Sequence, residues 1–192
     1  MLTKAQAEDI FARAGALLSG HFLLTSGRHS NRYMQCAQVL QYPEYTEELA
    51  RHLAEGFAGQ KVDIVVGPAM GGIIVSYEVA RQLGVKSIFT ERENGAMVLR
   101  RGFSLQPGQK VLVVEDVVTT GGSVKEVIEL VKASGAEVIG VGVLVDRSGG
   151  QVDFGVPLKS ALTMDIQSWE AEECPLCQQG AGKPVKPGSR NS

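Results

Sequence analysis

VLVVEDVVTTGGS, Val111 to Ser123, is a strand, an acidic pair, a glycine turn and a helix start in thirteen residues. Four consecutive apolar residues, Val111 to Val114, have the pattern of a strand buried on both faces, as in a parallel sheet. Glu115 and Asp116 follow at once, and Thr119 to Ser123 are small, hydroxylic or glycine. Ser123 and Glu126 have the spacing of a capping box, and Val124, Val127, Ile128 and Val131 form a helical apolar stripe, so the sequence predicts a helix from Ser123. Backbone N–H groups of such a turn, together with a helix N-terminus, cradle a phosphate dianion. Thr119, Thr120 and Ser123 add hydroxyl donors, and the two acids are suited to accept hydrogen bonds from sugar hydroxyls or to lie near a bound magnesium ion. A solvated turn with incidental acids is the plainer reading of the glycines alone; acids directly after a buried strand tip the balance to a site. No Lys follows the glycines in the Walker order, and Gly140-Val141-Gly142 lies inside an apolar run without a third glycine, so other nucleotide-binding motifs fit less well.

Working outward, the same alternation repeats. Thr3 to Ala14 reads as a first helix capped by Thr3 and ended by Gly15, and Gly20 to Cys36 as strand–turn–strand around Ser26-Gly27. Pro43 opens a helix to about Phe57, with Leu49, Leu53 and Phe57 on its buried face. Asp63 to Val66 is a short strand ending in Gly67-Pro68-Ala69-Met70-Gly71-Gly72; a helix follows over Ile73 to Leu83, then a strand near Ser87 to Phe89. Residues 91–108 are polar and irregular, the pattern of a lid or mobile loop. Glu137 to Val145 is a further strand, running into Asp146-Arg147-Ser148-Gly149-Gly150, and Leu162 to Ile166 a last one. Residues 178–192, rich in Gly, Pro and Ser, read as a flexible tail after a single domain spanning 1–177. Strands alternating with helices imply an α/β fold with a mainly parallel sheet. The turns at 67–72, 115–123 and 146–150 all fall at strand carboxyl ends, where such sheets bind ligands.

Composition sets the class. The 192 residues are 44% hydrophobic and 21% charged with net charge −2, values of an ordinary globular domain with no global attraction to nucleic acid or acidic membrane. Residues 1–20 lack a signal-peptide core, no apolar run approaches a membrane span, and three cysteines do not suggest a disulfide framework, so a cytoplasmic protein is expected. Cys174 and Cys177 have the spacing of half a zinc site; a second pair, from Cys36 with a histidine or from a dimer mate, is not indicated, and no metal held directly by the protein is expected. His21, His29 and His52 read as ordinary surface or satisfied residues, His29 alone being near the proposed site, and Trp169 as packing.

The opening stretch resembles the phosphoribosyl pyrophosphate signature of type I phosphoribosyltransferases: apolar run, two acids, two variable residues, then Thr, a small residue and Gly. The resemblance implies the type I fold, with a small hood from the N-terminal segment (mainly 15–40) and part of the C-terminus. It also implies a phosphoribosyl pyrophosphate site made by Glu115, Asp116, Val117, Val118, Thr119, Thr120, Gly121, Gly122 and Ser123, the acids on the ribose hydroxyls and the turn on the 5-phosphate. FLLTSGRHSNRYM is similar to the N-terminal element of orotate phosphoribosyltransferases, with Ser26, Gly27, Ser30, Tyr33 and Met34 at matching positions. VDRSGG, Val145 to Gly150, is similar to the segment whose Arg binds orotate, which places Arg147 there with Thr119, Tyr33 and Met34. An Arg fork suits a carboxylate better than a neutral purine. Likeness to that family, in its compact bacterial and archaeal branch, extends over most of residues 15–177.

By the same resemblance Ala69, Met70 and Gly71 form the pyrophosphate loop, Asp116 and Arg92 take part in catalysis, Mg2+ arrives with phosphoribosyl pyrophosphate, and the protein is a homodimer. The implied activity is transfer of ribose 5-phosphate to orotate in pyrimidine (UMP) biosynthesis. One departure stands out. The family's loop carries Lys residues and a His; ERENGAMVLRRG keeps Arg92 but has neither, and Thr25 replaces a family Lys. Arg100 and Arg101 are candidates for the missing charge. The departure leaves a purine phosphoribosyltransferase as the alternative enzyme, and a non-catalytic phosphoribosyl pyrophosphate sensor as the alternative class.

Overall fold

In the computed structural model, which describes residues 1–24, 26–164 and 166–187, two sheets divide the strands. The larger has six, in the order β5 (Ala96–Leu99), β4 (Lys86–Glu93), β3 (Ile64–Pro68), β6 (Lys110–Val118), β7 (Glu137–Asp146) and β8 (Leu158–Thr163). All neighbours are parallel except β4 and β5. Alternation along the central strands feeds two cores. Val65, Leu112 and Val114 pack with α1 (Lys4–Arg13), α3 (Pro43–Glu55) and α4 (Gly71–Leu83) on one face. Ile64, Val66, Val111 and Val113 pack with α5 (Gly122–Ala133) on the other.

The chain runs outward from β3 to β4 and β5, then returns to the other side of β3 as β6. The carboxyl ends of β3 and β6 therefore meet where the winding reverses, the place at which open α/β sheets hold ligands. A Cβ on Gly71 would lie 2.4 Å from Cγ of Asp116, so the 67–72 turn packs directly on the acidic pair and needs glycine there.

The hood is a separate three-stranded sheet, β1 (Leu17–Leu23), β2 (His29–Met34) and the short β9 (Ser168–Trp169). A four-residue helix, α2 (Ala37–Leu40), links the hood to α3. After β9 a 3-10 turn (Ala171–Glu173) and α6 (Pro175–Gln178) bring the chain back over the hood. Residues 182–187, read from sequence as part of a tail, follow β1: the Val185 amide donates to the His21 carbonyl at 2.8 Å, and the Leu23 amide to the Val185 carbonyl at 2.8 Å. Thr25, Asp165 and 188–192 lie outside the described residues, so the Thr25 substitution and the far end of the tail are not placed.

Four expectations are corrected. The strand of the opening stretch continues through both acids to Val118, paired with β7 as far as Asp146. The helix starts at Gly122, with Gly121 in the left-handed region (φ 77°) as N-cap; there is no side-chain cap, so the Ser123–Glu126 box does not form. Residues 91–108 are not wholly irregular. β4 and β5 form a hairpin around Asn94-Gly95 (φ 50° and 86°), a turn sequence whose two positive φ angles match the strand twist. The last strand of the large sheet is Leu158–Thr163 rather than 162–166; as an edge strand it buries only Ala161 and Leu162, so its sequence carries little apolar signal.

Candidate active site

Two adjoining cavities open at the carboxyl ends of β6 and β7. The smaller, about 290 Å³, is the cradle itself, lined by Glu115, Val117 to Val124 and Glu126. With no side chain capping α5, its first-turn N–H groups are available to an anion. Gly121 is required twice over: its φ is positive, and a Cβ would sit 2.7 Å from the Phe154 ring. The larger cavity, about 670 Å³, shares Val117, Thr119 and Thr120 with the first and extends under the hood to Ser26, Tyr33, Met34, Cys36, Asp116, Arg147 and Lys186. A ligand with a phosphate at one end and a planar ring at the other would span both.

The acids are held rigidly between them. Glu115 is buried; its Oε1 accepts from the Asp116 amide at 3.0 Å, while Asp116 Oδ1 accepts from the Val117 amide at 2.8 Å. Burial pushes both carboxyls above their ordinary range, and the neighbouring Asp116 charge raises Glu115 further. Hydroxyl donors entering this site would offset that desolvation.

Arg147 extends from the end of β7, where its amide donates to the Val118 carbonyl at 2.8 Å. The turn beneath it is fixed by buried Asp146: Oδ1 accepts from the Ser148 amide (2.8 Å) and hydroxyl (2.6 Å), and Oδ2 from the Gly150 amide (3.0 Å). Asp146 is thus committed to its own loop, and no carboxylate among the described residues pairs with Arg147. Its Nε is buried without a hydrogen-bond partner among the described residues, and burial lowers the guanidinium below its usual range. A buried donor left unpaired is costly, and an anionic acceptor in the cavity would satisfy it.

The remaining candidates divide. Tyr33 and Met34 line the larger cavity with Thr119, but the Ser30 hydroxyl donates to the Gln167 carbonyl at 2.8 Å and is used inside the hood. Ala69 and Met70 lie on the 67–72 turn outside both cavities, Met70 being 81% exposed. Arg92 does not line either cavity: it pairs with Glu126 at 2.8 Å on the rim of the cradle. Arg100 and Arg101, considered as stand-ins for missing loop charge, pair with Glu93 (3.3 Å) and Glu91 (2.8 Å) within the hairpin region. Cys36 was missed by sequence reading: buried beside the acids, its Sγ lies 3.7 Å from the Asp116 carbonyl, and burial first, then the Asp116 charge, pushes its thiol up. A lone cysteine before a four-residue helix gives no signal of this. Sequence reading also kept His21 and His29 apart from Cys174 and Cys177; the structure brings all four together behind the hood.

The winding reversal, the glycine cradle and the buried acids define a sugar-phosphate-binding transferase class, and residues 37–173 match the phosphoribosyl transferase domain family. The chain belongs to that family and, within it, to the orotate phosphoribosyltransferases. It is 64% identical over 98% of its length to the orotate phosphoribosyltransferase of Desulforamulus reducens, of which it covers 98%, and 62% identical to that of Pelotomaculum thermopropionicum, over 98% of this chain and 99% of the other. The crystal structure of orotate phosphoribosyltransferase from Aeropyrum pernix superposes with a TM-score of 0.65 at 29% identity, covering 82% of this chain and 93% of the other.

Proposed function

We propose that the chain transfers ribose 5-phosphate from phosphoribosyl pyrophosphate to N1 of orotate, releasing pyrophosphate and orotidine 5′-monophosphate, a step of pyrimidine synthesis. The observation carrying the choice of base is Arg147, which lines the larger cavity and whose buried Nε has no partner among the described residues. A guanidinium fork matches the orotate carboxylate, whereas a purine offers it no anion. Tyr33 and Met34 would flank the ring, and the Thr119–Ser123 turn would hold the 5-phosphate. Glu115 and Asp116 would accept the ribose hydroxyls, and Asp116 would place its charge near the anomeric carbon as that carbon becomes cationic. The 67–72 turn, with Ala69, Met70 and Gly71, would receive the pyrophosphate as it leaves, with Arg92 as a further cation near the cradle rim.

Magnesium fits this arrangement as a passenger of the substrate: the acids are engaged by backbone amides on one oxygen each and do not form a multi-carboxylate cage. When bound, the ion would neutralise the leaving pyrophosphate. A homodimer is supported by exposed Met70, Ile74 and Tyr77, an apolar stripe at helical spacing beside the pyrophosphate turn. No helix among the described residues is long and apolar enough to cross a membrane, and three cysteines without a disulfide fit a reducing cytoplasm.

The test is pyrophosphate release from phosphoribosyl pyrophosphate and magnesium with orotate, uracil, adenine, xanthine or no base. Turnover with orotate alone is expected. Turnover with a purine and none with orotate would refute the assignment, and ligand binding without turnover on any base would point to a sensor.

A further inference from the structure

The fold gathers two histidines and two cysteines into a second site, away from the two substrate cavities. Residues of β1 and β2 alternate in and out of the hood sheet, but a bulge between Ser19 and Phe22 breaks that order, and His21 and Phe22 are buried in succession. The bulge turns His21 toward His29 of the paired strand; their rings meet edge to face with centroids 5.0 Å apart. From the other end of the chain, Cys174 ends the 3-10 turn and caps α6, and Cys177 lies three residues on, so both thiols share one side. The two ring nitrogens and two sulfurs all lie within 4.8 Å of one another.

The distances are those of a coordination shell. His21 Nε2 is 3.1 Å from His29 Nδ1 and 3.6 Å from each of Cys174 Sγ and Cys177 Sγ, and His29 Nδ1 is 3.3 Å from Cys177 Sγ. With Zn–S near 2.3 Å and Zn–N near 2.0–2.1 Å, the edges of a tetrahedral S2N2 site come to about 3.3–3.8 Å. Hydrogen bonding alone accounts poorly for the cluster. His21 Nδ1 is 2.9 Å from the Gly182 carbonyl, which can only accept, so in the neutral ring Nδ1 carries the proton and Nε2 presents its lone pair. That single lone pair faces three polar atoms at once. The Nδ1–carbonyl bond is also the outer contact that orients metal-bound histidines.

The geometry points to a structural zinc site made by His21, His29, Cys174 and Cys177. Four protein ligands close the tetrahedron, leaving no position for substrate, and S2N2 donors favour zinc over magnesium or calcium. Binding displaces the two thiol protons, so two thiolates balance the charge of the cation. The ion would clip the returning C-terminal segment to the hood. That segment carries Val185, paired with β1, and then Lys186 and Pro187, which wall the larger cavity. Zinc would thus brace the hood without entering the chemistry.

The full chain, expressed in zinc-supplemented medium and purified reduced without chelator, should contain one zinc per chain by elemental analysis. Replacement with Co2+ should give thiolate-to-cobalt charge transfer and the intense visible bands of a tetrahedral centre. Cys177→Ser, at an exposed position, and His29→Gln should each lose both signals, while His52→Gln keeps them. If those variants do not fold, thiol modification of the intact protein should release zinc in step with Cys174 and Cys177. Zinc absent or removable by gel filtration, a cobalt form without charge transfer, or retention of the metal after Cys174 and Cys177 are modified would each overturn the assignment.

Discussion

Replacing Arg147 with Ala tests the base-binding role proposed for it apart from everything else the site does. In the ligand-free protein the guanidinium has no carboxylate partner among the described residues, its Nε is unsatisfied, and burial already depresses its pKa. Removing it therefore breaks no ion pair, and the melting temperature should stay the same or rise slightly. With orotate bound, the lost interaction is a charge-assisted hydrogen bond or a forked pair, about 1.5–3 kcal/mol for a bond to a charged group. At 1.4 kcal/mol per decade this is roughly a 10- to 150-fold fall in kcat/KM for orotate. The KM for phosphoribosyl pyrophosphate should change little, because the proposed seat of its phosphate is the Thr119–Ser123 turn, which Arg147 does not form. Arg147→Lys should recover only part of the loss, since an ammonium cannot form the fork. Steady-state kinetics with each substrate varied, and a thermal melt, decide the matter. Equal losses toward both substrates, or a large drop in melting temperature, would show that Arg147 serves the fold and not the base.

Gly121→Ala forces a side chain into a left-handed residue and against Phe154; it should cost about 1–3 kcal/mol of stability and raise the KM for phosphoribosyl pyrophosphate, measured by denaturant titration and kinetics. Asp146→Ala removes the acceptor of three hydrogen bonds under the Arg147 turn and should destabilise by about 2–4 kcal/mol, raising the orotate KM more than that of the co-substrate; unchanged kinetics would detach the turn from base binding. Glu115 holds its proton in the native state to higher pH than in the unfolded chain. The native state therefore binds more protons just above the ordinary value of 4.5, and this group's contribution to stability falls as pH rises toward its raised value. Glu115→Gln should flatten that fall in melts of the ligand-free protein, making the variant the more stable at neutral pH, while weakening phosphoribosyl pyrophosphate binding. A variant less stable than the parent at neutral pH would contradict the burial argument.

The parts legible in the sequence were those written in short-range pattern. Val111 to Val114 and the stripe Val124, Val127, Ile128, Val131 specify a buried strand and its crossover helix, and the glycine turn between them marks the cradle. The hairpin at Asn94-Gly95 was not read from the sequence, because the charged residues flanking the turn concealed the strands. Ser123 and Glu126 satisfied a local capping rule that lost to Gly121, whose left-handed backbone starts the helix earlier and leaves its N–H groups uncapped. What short-range pattern cannot carry is the meeting of distant segments. His21 and Cys174 stand 153 residues apart, and only the β1 bulge and the return through α6 bring them into contact. Cys36 against Asp116, and Lys186 in the cavity wall, are products of packing in the same way.

A crystal structure of the chain with orotidine 5′-monophosphate tests both halves of the site at once, because that product joins the base to the 5-phosphate. The carboxylate is predicted to lie within hydrogen-bonding distance of Arg147 between Tyr33, Met34 and Thr119, with the phosphate on the amides of Thr119 to Ser123 and the ribose hydroxyls on Glu115 and Asp116. A phosphate bound elsewhere, or a carboxylate in solvent with Arg147 Nε still unpaired, would contradict the account.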